Sequence, residues 1–314
     1  MSDTEAVAVV FPGMGPVERG EYLRFLLLTP AGREVLAEAE DALEHRLDAA
    51  WLADDVAYSP AAQLGFLAAT LALAESIETE LDEPPVALAG PSFGCRAVAI
   101  RSGSVAVGAG FRMAARMAAV MDDYFTTRHP SLVTQSFGRL RPDVVAEIMA
   151  GLESRERPAD LSCRVDEDFV MITLDAADLE EVVATARKHG AMPLFTMKPP
   201  MHARYFAGLR QRLDAEVFAD IDFRDPAVPV VGDQDGQLLT SGSGIRNLLL
   251  RGCDEMVDWP RALDGLAERG VTQLAVAGED GLFTRVPGTT KRFRVRQWGV
   301  RAQLRPRRRL PLVA

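Results

Sequence analysis

Short apolar runs alternate with amphipathic ones along the chain. EAVAVVFPGMG, near the N-terminus, reads as a strand that runs into a Gly/Pro turn. Three helical patterns follow, in EYLRFLLL, REVLAEAEDALEHRL and SPAAQLGFLAATLALAESIETEL. VALAG is another short apolar strand, and SGSVAVGAGFRMAARMAAVMDDYF is a turn followed by a long amphipathic helix. Strands alternating with helices predict a parallel sheet in an α/β fold.

The pattern changes near residue 130. QSFGRL reads as a strand, PDVVAEIMAGLE as a helix, and LSCRV and DFVMITL as two strands. DLEEVVATARKHG is a helix with Gly190 in the C-cap position, and PLFTMK is a strand. The order β-α-β-β-α-β predicts a ferredoxin-like small subdomain over residues 131–198. AVPVVGDQDGQLL, the helix around WPRALDGLAERG and the strand VTQLAVAG then return to the α/β pattern. The expected organisation is a large α/β-hydrolase-like subdomain from residues 1–130 and 199–290, the inserted small subdomain, and a basic C-terminal extension over 291–314.

Composition leaves this picture intact. A chain of 314 residues with 48% hydrophobic and 25% charged residues is ordinary for a globular protein. The acidic start MSDTEAVAVV lacks signal-peptide character, and no run of 18 uncharged apolar residues predicts a membrane span. Cys95, Cys163 and Cys253 have no metal-ligand spacing and fit a reducing cytoplasm, so neither metal nor membrane is expected. Charge is lopsided. The chain carries a net −10, yet residues 291–314 hold nine basic groups and no acid. Nucleic acid is not the expected partner, because no nucleic-acid module accompanies these groups. An acidic protein partner or a solvated tail accounts for them.

The candidate chemistry centres on Gly90-Pro91-Ser92-Phe93-Gly94, between a predicted strand and a predicted helix. Gly-x-Ser-x-Gly in that setting is a nucleophile elbow, with Ser92 at a helix N-terminus where backbone N–H groups face a developing oxyanion. A serine nucleophile needs a base. Among four histidines, His45 lies in a polar helix, His129 precedes Pro130 in a loop, and His189 ends a helix where a cation suits the dipole. His202, in KPPMHARYF, follows a strand at the return from the small subdomain. That is a cleft position, and His202 is the candidate base.

These residues carry a resemblance. The chain is similar, over nearly its whole length to about residue 290, to the malonyl-CoA:carrier-protein acyltransferase family. FPGMG at 11–15 resembles the family's Phe-Pro-Gly-Gln-Gly, and GPSFG its Gly-His-Ser-x-Gly. PPMH resembles the stretch ending in the catalytic histidine, and LLLRGCDEMVDW the segment that keeps Trp259. GVTQLAVAGEDGLFTRV resembles the closing strand and turn. The resemblance implies ping-pong transfer through an acyl-Ser92, with His202 as base and the Met14 and Phe93 backbone N–H groups as oxyanion hole. A backbone carbonyl near Gly252 is implied to orient the histidine. No cofactor is bound, because the acyl group travels on phosphopantetheine.

The departures matter as much. Family members that take malonyl units pair the free carboxylate with an arginine on the helix after the elbow. Ungapped alignment puts Met117 there, beside Arg116. A one-residue step turns a helical side chain by about 100°, away from the pocket; a one-residue slip in alignment restores Arg116. Pro91 replaces histidine, Cys95 replaces glutamate, and Pro199-Pro200-Met201-His202 matches neither malonyl nor methylmalonyl versions. With Met117, Pro200 and Met201 as pocket residues, the expected acyl group lacks a free carboxylate and is larger than malonate.

The resemblance extends to discrete acyltransferases of macrolactam polyketide pathways, which move an aminoacyl or dipeptidyl starter between carriers. The implied partners are acidic acyl carrier proteins, one stand-alone and one a polyketide-synthase domain. Arg139, Met192 and Arg285 are the candidate docking residues. Malonyl transfer with Arg116 in the pocket, and an editing hydrolase, are the alternatives. An intact Ser92 and His202 disfavour a non-enzymatic scaffold. More than 100 residues after His202 disfavour an ordinary α/β-hydrolase.

Overall fold

The strand sequences VAVV, ALA and QLAV contain no polar alternation, and in the structure all three strands are buried on both faces. The structure is a computed structural model that describes residues 6–15, 17–54 and 56–305. In chain order, the first part comprises β1 (Val7–Val10), α1 (Arg19–Leu28), α2 (Pro30–Leu43), α3 (Leu47–Ala53), α4 (Pro60–Glu78), β2 (Ala87–Ala89), α5 (Gly94–Arg101) and α6 (Val107–Arg128). Next come β3 (Leu132–Gly138), α7 (Pro142–Glu153), β4 (Ala159–Asp166), β5 (Phe169–Asp175), α8 (Leu179–Lys188) and β6 (Met192–Met197). The rest holds α9 (Ala207–Glu216), β7 (Val230–Val231), β8 (Leu238–Leu239), α10 (Gly242–Asp254), β9 (Val257–Asp258), α11 (Trp259–Glu268), β10 (Gln273–Val276), α12 (Pro287–Thr290), β11 (Arg294–Gln297) and α13 (Val300–Gln303).

Two sheets result, as the α/β reading expects. The larger runs β11-β10-β1-β2-β7-β8 and is parallel except for its last pair. The smaller runs β6-β3-β5-β4-β9. Its first four strands are antiparallel and follow the ferredoxin-like order, and α7 and α8 cover it around Phe137, Ile172 and Leu174. Helix α4 starts cleanly, because Ser59 Oγ accepts the Ala62 N–H and Pro60 needs no N–H partner there. Its length and composition would suffice to cross a membrane, but most of it is packed inside the core.

Two boundaries differ from the sequence reading. The small sheet takes a fifth strand from outside 131–198: β9 pairs with β4, and Asp258 accepts two hydrogen bonds from Arg164 at 2.6 and 3.1 Å. Nor is 291–305 a detached extension. β11 is the edge strand of the large sheet, and Phe293, Trp298 and Val300 are core residues. Three of its basic groups pair with the protein's own acids: Arg292 with Asp264, Arg296 with Glu80, and Arg301 with Glu21. A basic strand beside an acidic body neutralises locally, and the net charge of the segment concealed this. Arg307, Arg308 and Arg309 lie outside the described residues.

Trp298 is 2% exposed, and the Arg296 guanidinium lies 3.9 Å from its ring centre. Trp298→Ala is expected to cost about 3–5 kcal/mol, read from the urea midpoint. A loss within about 0.5 kcal/mol would restore the solvated tail.

Candidate active site

The turn from β2 into α5 is too tight for side chains at its ends. A Cβ on Gly90 would lie 2.6 Å from the Gly94 carbonyl carbon, and one on Gly94 would lie 2.2 Å from the Phe11 carbonyl oxygen. Between them Ser92 adopts a left-handed φ of 55°. Its N–H donates to Asp233 Oδ2 at 2.7 Å, an interaction that ties the elbow to the loop after β7. Oriented this way, Ser92 Oγ is 2.7 Å from His202 Nε2.

His202 lies four residues beyond a cis Lys198–Pro199 bond and also has a positive φ, 62°. Its backbone N–H donates to the Cys253 carbonyl at 3.0 Å, so the end of α10 holds it. For Nε2 to accept from Oγ, the ring proton must sit on Nδ1. Nδ1 is buried with no hydrogen-bond partner among the described residues. Gly252, whose carbonyl favours the protonated ring, lies nearby without completing that bond. Asp233 accepts the serine's N–H and makes no hydrogen bond to the histidine, so Ser92 and His202 pair without a third member among the described residues. Burial, then the Arg96 charge, lowers the His202 pKa to about 4. Burial raises Asp233 to about 6. A neutral imidazole next to a hydroxyl can accept its proton at neutral pH.

The cavity at Ser92 is lined by Met14, Phe93, Met117, Met201 and His202 among others. Neither the Met14 nor the Phe93 backbone N–H donates to a protein acceptor among the described residues. Both residues line the cavity. Met117 is 4% exposed and faces this cavity.

The expected placements of Pro200 and Arg139 are corrected, and so is the alternative that returned Arg116 to the pocket. Arg116 is outside the pocket, its side chain 46% exposed; it pairs with Asp220 at 3.5 Å and donates to the Glu216 carbonyl. Helical geometry separates it from Met117, as the turn per residue requires. Pro200 lines a neighbouring cavity, while Pro199 lines both. Arg139 is one residue past the end of β3, on an exposed bend with φ 58°. It nonetheless adjoins Met192, whose register partner is Gly138. Met192 is exposed at 46%, and Arg285 is exposed on the turn before α12.

Sequence reasoning missed Asp233, Gln63 and Arg96, all cavity-lining. Arg96 is 6% exposed, a buried cation in a pocket where several family polar positions are Met, Pro or Cys. It had no clear local signal, because Ser92 precedes α5 in a left-handed conformation and only the packing turns Arg96 toward the cavity. Asp233 had no local signal, because its partner is 141 residues away.

Known proteins resemble this chain in sequence and in fold. The family described as "VinK acyltransferase small domain" matches residues 136–197. The malonyl CoA-acyl carrier protein transacylase of Escherichia coli K12 is 25% identical over 297 residues, 91% of this chain and 92% of the relative. That of Salmonella typhimurium LT2 is 26% identical over 293 residues, covering 91% and 92%. Among solved structures, an acyl carrier protein S-malonyltransferase from Vibrio cholerae superposes with a TM-score of 0.80 at 21% identity, covering 94% of this chain and 97% of that one. A type II polyketide-synthase acyl-carrier protein in complex with its malonyl-transacylase matches at 0.81 and 21%, over 93% and 96%. The chain is thus similar in sequence and fold, over about nine-tenths of its length, to malonyl CoA-acyl carrier protein transacylases.

The two buried titrations act in opposite directions on stability. His202 has a folded value near 4, below the unfolded value of about 6.5, so the unfolded chain binds the extra proton and stability falls as pH drops through that window. Asp233 is raised from 3.8 to about 6, so the folded chain holds the proton and stability falls as pH rises through that window. Asp233→Asn should therefore raise Tm more at pH 8 than at pH 4.5, read by calorimetry. For serine acylation, kcat/KM should stay flat down to about pH 5, since the base titrates near 4. An acid limb near 6.5 would show a hydrated histidine.

Proposed function

We propose that this protein transfers an acyl group without a free carboxylate, an aminoacyl or dipeptidyl starter, between two acyl carrier proteins in the cytoplasm, as a step of macrolactam polyketide assembly. The observation that carries this reading is Met117 inside the Ser92 cavity with Arg116 outside on the surface. A methionine there supplies an adaptable apolar wall and no partner for a malonyl carboxylate.

The dyad supports a two-step exchange. Ser92 Oγ attacks the thioester carbonyl while His202 Nε2 takes the hydroxyl proton. The oxyanion accepts from the Met14 and Phe93 N–H groups. The C–S bond breaks, and His202 returns the proton to the departing phosphopantetheine thiol. The second carrier's thiol then gives its proton to His202, attacks the acyl-serine and releases Ser92 as its hydroxyl. The protein needs no bound cofactor or metal for this sequence. Arg139, Met192 and Arg285 are the proposed docking points, two cations and an apolar contact for an acidic carrier helix. Malonyl transfer is the second reading, favoured by the transacylase relatives.

The test is intact-mass detection of acyl-Ser92 after incubation with malonyl-CoA or with a dipeptidyl-loaded carrier. Labelling from the carrier alone is expected, and none in Ser92→Ala. Met117→Arg should lower dipeptidyl labelling at least 10-fold. Rapid labelling of the wild type from malonyl-CoA would overturn the proposal in favour of the second reading.

A further inference from the structure

The cavity holds a cation that the exchange chemistry does not use. Arg96 lies on α5, almost wholly buried, with a side chain lining the space beside Ser92. Its Nη1 donates to Gln63 Oε1 at 2.7 Å and its Nη2 to Met121 Sδ at 3.2 Å. The guanidinium sits 4.6 Å from the centre of the Phe93 ring. Gln63 is itself oriented, because its Nε2 donates to the Tyr58 carbonyl at 2.7 Å. That bond leaves Oε1 to face the arginine.

No carboxylate balances this charge. Arg96 makes no ion pair among the described residues, and its ionisable neighbours include the thiols Cys95 and Cys253, which burial keeps neutral. Asp233, the one acid lining the same cavity, is engaged by the Ser92 N–H. A guanidinium offers five N–H donors, and the structure accounts for two, one of them on a weak thioether acceptor. Each Nη keeps a further N–H beyond these bonds, and a largely buried cation without an anionic partner favours an acceptor brought in by a ligand. The acyl group enters this cavity, so an acceptor on it would be the one to arrive.

We infer that Arg96 is the specificity residue of the acyl pocket, donating to a carbonyl-type oxygen that the acyl chain carries beyond its thioester. The inference rests on the acyl-transfer reading above, under which that oxygen is the amide carbonyl of a dipeptidyl group. A carboxylate offers the same acceptor chemistry. A plain hydrocarbon chain offers none and displaces solvent from these donors without replacing it, which a site built for hydrogen bonding rejects.

The test uses full-length wild type and Arg96→Met, with single-turnover acylation of Ser92 followed by mass. Three carriers of similar acyl length are compared: dipeptidyl-, unbranched alkanoyl- and glutaryl-loaded. Wild type should take the dipeptidyl group at least about 50-fold faster than the alkanoyl group, and R96M should lose roughly 100-fold on the dipeptidyl group while the alkanoyl rate stays within a few fold. An equal loss on all three carriers would make Arg96 a structural support of the elbow and overturn the inference, as would no loss on any. If wild type prefers the glutaryl carrier and R96M loses that rate alone, Arg96 keeps its role while the dipeptidyl reading falls. Should R96M fail to fold, the wild type decides unaided. A dipeptidyl group whose amide carbonyl is reduced to CH₂ should react at least 10-fold more slowly than the intact one, and equal rates would overturn the inference.

Discussion

Ser92 sits in a left-handed backbone conformation that an L-residue with a side chain adopts only under constraint. The constraint comes from three sides. Gly90 and Gly94 let the strand and helix approach to distances no Cβ would permit, and the Asp233 carboxylate takes the serine's N–H. Once that backbone is held, Ser92 lines the cavity, α5 begins two residues on, and Met14 and Phe93 line the same cavity. The dyad depends on this arrangement, because a 2.7 Å contact to His202 leaves no room for a relaxed elbow.

The same holding contacts join the two subdomains. Asp233 also accepts the Asp258 N–H on its backbone carbonyl at 2.7 Å, and Asp258 takes the Arg164 guanidinium from the small sheet. Asp258 further caps α11, whose Trp259 donates to Thr289 at 2.9 Å. A short chain of polar contacts thus runs from the nucleophile turn to the small subdomain and to the closing segment of the large sheet. Removing water from this network strengthens each bond and makes each unmatched group costly.

Charge inside the cavity follows from that dryness. Burial holds His202 neutral and biases Asp233 toward its protonated form, while Arg96 stays a cation even though burial lowers its pKa to about 10. Methionines form much of the remaining wall, and they adapt in shape without supplying charge. The pocket therefore combines an apolar, deformable lining with one fixed group of donors, a combination suited to a long acyl chain bearing an oxygen at a defined place.

The sequence by itself determined the fold class and the location of the elbow. Alternating strand and helix patterns, and the β-α-β-β-α-β order after residue 130, are local periodicities, and Gly-x-Ser-x-Gly records a steric limit within five residues. The ungapped spacing that put Met117 on the pocket side and Arg116 away from it is likewise local helix geometry. Only the tertiary structure decided what depends on distant partners. The basic residues 292–301 look like a tail until Glu80, Asp264 and Glu21 are brought beside them. Strand β9 is too short to read without β4 next to it. Asp233 and Arg96 look like unremarkable polar residues in the sequence. Their importance arises from burial, and burial is a property of the packed chain that no local pattern carries.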